Sequence, residues 1–255
     1  MIKLFRKIRQ QLLSENKFSK YLLYALGEIV LVIIGILIAL QINEWNGKKS
    51  ELSKLKKDLE YVLIDLETDR EQLLNLIDQR QKGGASATNF IDKYIQNQEV
   101  AYSREHEGLK LILYELRFNR NLNGFEKVEK SELFQTSNFE TIRSKMDSYT
   151  NQINQLTFDE QRLNYFIEEN ERQMFANGLH IRIYEHFRVV KSYANDSIPL
   201  SNLNWLEQIK NNTPFKAILL RFEDDVYQFL IPGYQKTISA GNELKAEIET
   251  YLNDQ

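Results

Sequence analysis

The sequence predicts an all-α protein: a single N-terminal transmembrane helix followed by an elongated antiparallel helical bundle. Three observations carry that prediction. Residues 21–42 read YLLYALGEIVLVIIGILIALQI, apolar throughout their middle except for Glu28. A hydrocarbon core of roughly 30 Å needs about 20 such residues in helix, and backbone inside lipid must satisfy its own hydrogen bonds. Downstream, apolar residues return at steps of three and four, the spacing of a helical core stripe. Turn formers are scarce, with 10 Gly and 3 Pro in 255 residues, which argues against the many tight turns of an all-β chain.

Three segments follow. Residues 1–20 form a basic tail, 21–42 the transmembrane helix, and 43–255 a helical extracytoplasmic domain. The tail carries Lys3, Arg6, Lys7, Arg9, Lys17 and Lys20 against Glu15. Leu4, Phe5, Ile8 and Leu12 share one helical face, which suits an amphipathic helix lying on an anionic membrane surface. A plain basic flank with incidental periodicity explains the same residues. A cleavable signal is disfavoured because the apolar run is too long, and Leu37 and Gln41 spoil the small-x-small pattern around Ala39. Basic residues also follow the span at Lys48, Lys49, Lys54, Lys56 and Lys57. The charge rule acts most strongly on short tails, whereas long domains cross largely regardless of charge. The expected topology in the inner membrane is therefore a cytoplasmic N-terminus and a periplasmic domain. Trp45 suits the opposite interface, where indole rings settle.

After a plausible break at Asn46-Gly47, the stripe Leu52, Leu55, Leu59, Val62, Leu66, Leu73 and Leu76 predicts a long helix. Asp69 falls in register and interrupts it, and Gly83-Gly84 is the expected stop. Shorter helices are expected from Ala85 to about Gln98 and from Glu107 to about Phe118. Asn119 to Gly124 reads as a polar turn, and Phe125 to Phe134 as a short helix. Thr136-Ser137-Asn138 can cap the next helix. Its stripe is Ile142, Met146, Tyr149, Ile153, Leu156, Leu163, Ile167 and Met174, with polar Glu160 and Asn170 in register. Asn177-Gly178 supplies its end. Residues 179–190 alternate like a strand at Ile181, Ile183 and Phe187, yet sit among helices and are read as helix. Residues 191–203, with Pro199, read as a polar loop. Thr213 as N-cap with Pro214 at N1 starts another helix. Its apolar face is Ile218, Phe222, Val226 and Phe229, and Pro232-Gly233 kinks or ends it. Ile238, Leu244, Ile248 and Leu252 mark the last helix. Polar interruptions at Asp69, Glu160 and Asn170 favour an intramolecular core over an intermolecular coiled coil.

Chemistry is sparse. No cysteine is present, which excludes disulfides and thiolate sites. The 33 basic and 36 acidic residues leave no field that points to nucleic acid. Of the histidines His106, His180 and His186, the last two are six apart, off the spacing that puts two ligands on one helix face. No metal or cofactor is expected. No P-loop, dinucleotide glycine pattern or nucleophile elbow occurs. The doublets Asp159-Glu160, Glu168-Glu169 and Asp224-Asp225 read as solvated helix faces, because adjacent residues diverge on a helix. Within the span Glu28 is the exception, since an ionisable group in lipid is costly and marks a partner, a cavity or a proton path. It can instead reach the headgroups or stay protonated. Tyr24, Glu28, Gly35, Ala39 and Ile42 fall on one face. Gly35 and Ala39 form a small-xxx-small pair that lets helices approach closely, and such packing would hide Glu28 from lipid.

The string FRKIRQQLLSENKFSKYLLYALGEIVLVIIGILIALQINEWN, Phe5 to Asn46, resembles the start of a large family of bacterial single-pass membrane proteins. Those proteins pair a near-identical anchor, GEI then VIGILIALQIN and a tryptophan, with a divergent helical domain. A weaker likeness covers Asn123 to Ile153, where the family favours a Ser-Gly turn and this chain has Ser137-Asn138. The resemblance implies the anchor and the helical domain, and brings no activity, cofactor or partner with it. The expected function is a membrane-anchored, non-enzymatic scaffold or protein-interaction module. Its partners are the lipid bilayer and either a second copy or another membrane protein. The alternatives are a sensor-like ligand-binding module and an accessory subunit of an ion-coupled complex that uses Glu28.

Overall fold

A computed structural model describes residues 18–97, 108–176, 178–190, 208 and 211–254. The amphipathic reading of the tail before Phe18, the end of the helix expected to reach about Gln98, the start of the next at Glu107, Asn177 and the loop at Pro199 lie outside them. Every regular element among the described residues is helical. By packing, the chain divides into Met1–Lys57 and Asp58–Gln255.

The first helix, α1, is Phe18–Phe90. It passes through both expected breaks. Gly47 costs at most about 1 kcal/mol in a helix, and Glu44 and Lys48 pair at 2.7 Å across it. Gly83 is retained for a different reason. A Cβ there would lie 3.0 Å from the buried ring of Phe222 and 3.3 Å from Leu111, so glycine is needed for close approach rather than for a turn. The helix expected from Ala85 is the continuation of α1, and it closes with one π-helical segment, Ile91–Gln96.

In the second unit α1 contributes the predicted stripe. Leu59, Val62, Leu66, Leu73 and Leu76 are all buried, each worth about 1.5–3 kcal/mol. The chain then returns along α1 in the opposite sense. Gly108 faces Ser86, Leu116 faces Arg80, Asn121 faces Asp69 and Gly124 faces Val62. Only parts of this return are helical: α2 (Leu109–Leu113) and α3 (Asn123–Glu129), then 3₁₀ turns at Leu133–Gln135 and Ser137–Phe139. The expected helix to Phe118 stops at Leu113, and Tyr114 to Leu122 is an irregular strap. The Thr136 side chain makes no cap; its hydroxyl donates to the Leu133 carbonyl at 2.8 Å.

Next comes α4, Glu140–Ala176, whose predicted stripe is buried at every position from Ile142 to Met174. Gly178 then takes φ 76°, the left-handed conformation that ends helices. The ambiguous segment is helical as read: α5, Leu179–Val190. Helix α6, Thr213–Asp225, starts one residue earlier than expected. Asn212, not Thr213, is the N-cap, and its Oδ1 accepts the Phe215 amide at 2.9 Å. A π-helical segment, Val226–Leu230, joins α6 to α7, Ile231–Asn253. Pro232 therefore follows directly on the π-helical segment and does not end the helix, which continues through it to Asn253. The extra π residue also rotates the apolar face. Leu230 is buried, and Phe229 is 41% exposed. Helix α7 runs antiparallel to α4, with Gly241 against Tyr149 and Lys145 paired to Glu243.

Candidate functional site

The N-terminal unit presents its apolar residues outward. From Val30 to Ile42 the described side chains are exposed, and the segment is long and apolar enough to cross a membrane. Glu28 is half-exposed and lies on the same helix as Gly35, Ala39 and Trp45. A Cβ on Gly35 would meet nothing within 4 Å, and Ala39 is exposed. Trp45 is exposed too, with the Lys49 ammonium 5.6 Å from its ring centroid.

The second unit holds a cluster of buried acids that sequence reasoning saw only as interruptions. Asp69 is fully buried. Its Oδ1 accepts the Asn121 backbone N–H at 2.9 Å and the Asn121 amide at 2.8 Å, while Oδ2 accepts the Tyr149 hydroxyl at 2.8 Å. Glu160, also buried, accepts the Phe118 N–H at 3.0 and 3.1 Å and the Tyr234 hydroxyl at 2.7 Å. Asp65 takes the Gly124 N–H at 2.6 Å. Buried Arg80 and Asn164 both donate to the Leu116 carbonyl, at 3.0 and 3.3 Å. An irregular segment has no ladder of its own, so its buried amides must find side-chain partners. Hydrogen bonds to a charged acceptor are each worth about 1.5–3 kcal/mol, so three of them on Asp69 roughly offset the several kcal/mol of burying a carboxylate.

Electrostatics agree with a structural role. Burial pushes the Asp69 carboxyl up from its ordinary value, and the bonds from Asn121 and Tyr149 and the charge of Arg120 pull it partly back. Burial likewise raises Glu160, opposed by the Phe118 amide, Tyr234 and Arg80. Tyr149 and Tyr234 are driven upward by burial and by the adjacent acids, so both remain protonated donors at neutral pH. Glu171 is raised to about 7 by burial and by the Glu168 charge. The doublets are therefore not uniformly solvated. Asp159, Glu160 and Asp225 are buried members, whereas Glu168 and Glu169 face Arg172 at the surface.

A third feature lies where α4 meets the π-helical segment. Asp225, 1% exposed, is bound by the Arg221 Nε at 2.9 Å and approached by Arg162 at 3.6 Å. Arg162 in turn covers the ring of Phe229, 4.6 Å from its centroid. Phe158 and Tyr165, 60% and 65% exposed, flank Arg162 on the same face of α4. The result is an exposed aromatic surface around Arg162, whose guanidinium lies between the buried carboxylates of Asp159, at 3.7 Å, and Asp225, at 3.6 Å. Sequence reading missed it because Phe229 looked like core.

His106 and the side chains of His180 and His186 lie outside the described residues. Among the described residues, no group of three or more His, Asp and Glu is placed to hold a metal ion. No family model, curated protein or solved structure matches this chain.

Proposed function

We infer that the chain is a membrane-anchored, non-enzymatic interaction protein. Its helical domain binds a partner protein through the surface of Phe158, Tyr165 and Phe229, braced by Arg162. The observation that carries this reading is the exposure of three large aromatics around one oriented arginine. Aromatic and arginine side chains dominate the energy of protein interfaces, and a rigid surface loses less entropy on binding. π-helical insertions also recur at functional sites.

The anchor is residues 21–42, with the N-terminus in the cytoplasm, the domain in the periplasm and Trp45 at the outer interface of the inner membrane. Gly35 and Ala39 form the packing face for a second copy or a membrane partner, which shields Glu28. The resemblance of Phe5 to Asn46 to a bacterial single-pass family supports the same reading.

The test is a photoreactive residue placed at 158 or 165 in the full chain in native membranes. Partner adducts are expected, and Phe229→Ala with Arg162→Ala should reduce them severalfold. Recovery of solitary monomers alone would overturn the proposal.

A further inference from the structure

Just past the span, one face of α1 carries chemistry that partner binding does not use. Asn46, Lys49, Ser50, Ser53, Lys54 and Lys57 line one open polar groove along the helix. All six are exposed. At about 3.6 residues per turn they fall on one side of the helix, and Glu44, Glu51 and Leu55 fall on the other. Lys48 also lies away from the groove and is paired with Glu44 at 2.7 Å. Lys49, Lys54 and Lys57 thus share a side from which Glu44 and Glu51 are absent, and the remaining lysine of the opposite side, Lys48, is neutralised by its pair with Glu44.

We propose that this groove binds the headgroups of anionic phospholipids at the leaflet from which the helix emerges. The proposal rests on the anchored reading above. Lys49 is seven residues beyond Ile42, about 10 Å along the axis, and Lys57 about 22 Å. The headgroup layer is about 5–8 Å thick on each side. Helical side chains lean toward the helix N-terminus, which here is toward the lipid, and the Lys49 ammonium sits over Trp45, the interfacial ring. Lys49 therefore reaches phosphate directly, and Lys54 and Lys57 add attraction that fades within a Debye length. Asn46, Ser50 and Ser53 supply neutral donors between the charges, suited to phosphate oxygens.

The test uses the full chain in mild detergent, titrated with phosphatidylglycerol or phosphatidylcholine and read by native mass spectrometry. Wild type should retain phosphatidylglycerol preferentially. Lys49→Gln should lower that preference by roughly fivefold, the effect of one lysine at the headgroups, with Lys54→Gln weaker and Lys57→Gln weakest. The triple Lys→Arg variant should keep the preference. Both lipids bound equally by wild type, or an unchanged preference in the triple Lys→Gln variant, overturns the proposal. So does displacement of the lipid by an equal concentration of inorganic phosphate. Alkaline carbonate extraction run in parallel separates the two ideas. Loss of wild type from the pellet defeats the anchor itself, whereas retention with no lipid preference defeats the groove alone.

Discussion

At the residue scale, backbone contacts and buried acids decide the outcome of substitution. A Cβ on Gly124 would lie 2.3 Å from the Val62 nitrogen. Backbone cannot yield as a side-chain tip can, so Gly124→Ala is expected to cost about 3 kcal/mol or more, at or beyond the top of ordinary overpacking. Thermal unfolding of the full chain in detergent, followed by circular dichroism, checks it, and an unchanged midpoint refutes the close approach. Glu160→Ala should cost about 2–4 kcal/mol, because it strands the Phe118 amide and leaves Arg80 without its facing charge. Glu171 gives the clearest pH dependence. Its folded-state value of about 7 lies above that of a free glutamate. Folding therefore takes up a proton between the two values. The contribution is fully present below the ordinary glutamate range and is lost as pH rises through about 7. The unfolding midpoint of wild type should fall relative to Glu171→Gln between about pH 5 and 7 and run parallel to it at higher pH; parallel curves across the whole range would remove Glu171 as the cause.

At the element scale, two glycines of α1 should respond with opposite sign. Gly47→Ala meets nothing within 4 Å and should stabilise the helix by up to about 1 kcal/mol through propensity alone. Gly83→Ala gains the same propensity and loses more, because the Phe222 ring it would press is fully buried. Its unfolding midpoint should drop. The π-helical segment makes a similar contrast. Leu230→Ala should cost about 2–5 kcal/mol as a core truncation, whereas Phe229→Ala should leave stability nearly unchanged and act on partner capture. Equal losses from both would mean that the insertion does not rotate the face. Much of this level was legible. The stripes of α1 and α4 are core at nearly every position named from the sequence, and the stop at Gly178 is where the pattern placed it. The strap was not legible. Its residues pair with side chains far away in the chain, as Asn121 does with Asp69 and Phe118 with Glu160, and no local period records such a partner. The one available signal was the pair of acids standing in register within apolar stripes.

At the scale of the whole molecule, the membrane reading depends on residues 21–42 alone. The intact chain should remain in the membrane pellet after alkaline carbonate. Replacing Ile34 with Arg, at about 2.5–3.5 kcal/mol for a charge at the helix centre, should shift part of it to the soluble fraction. The candidate site divides along the same line. Glu28, Gly35, Ala39 and Trp45 could be named from the sequence as an interrupted apolar run followed by an indole, and all four lie on α1. The aromatic surface was not, because exposure of Phe229 follows from a backbone insertion that leaves no mark in hydropathy.

Composition and periodicity were enough to establish an all-helical chain with a membrane-length apolar segment, since both depend on solvent transfer of residues near one another in sequence. Tertiary structure alone settled which acids are buried, which glycines mark close contact rather than a turn, and where the returning segment abandons the helix. Each of those depends on what a distant part of the chain brings to the same point in space, and the free energy of a buried polar group is set by that neighbour rather than by its own identity.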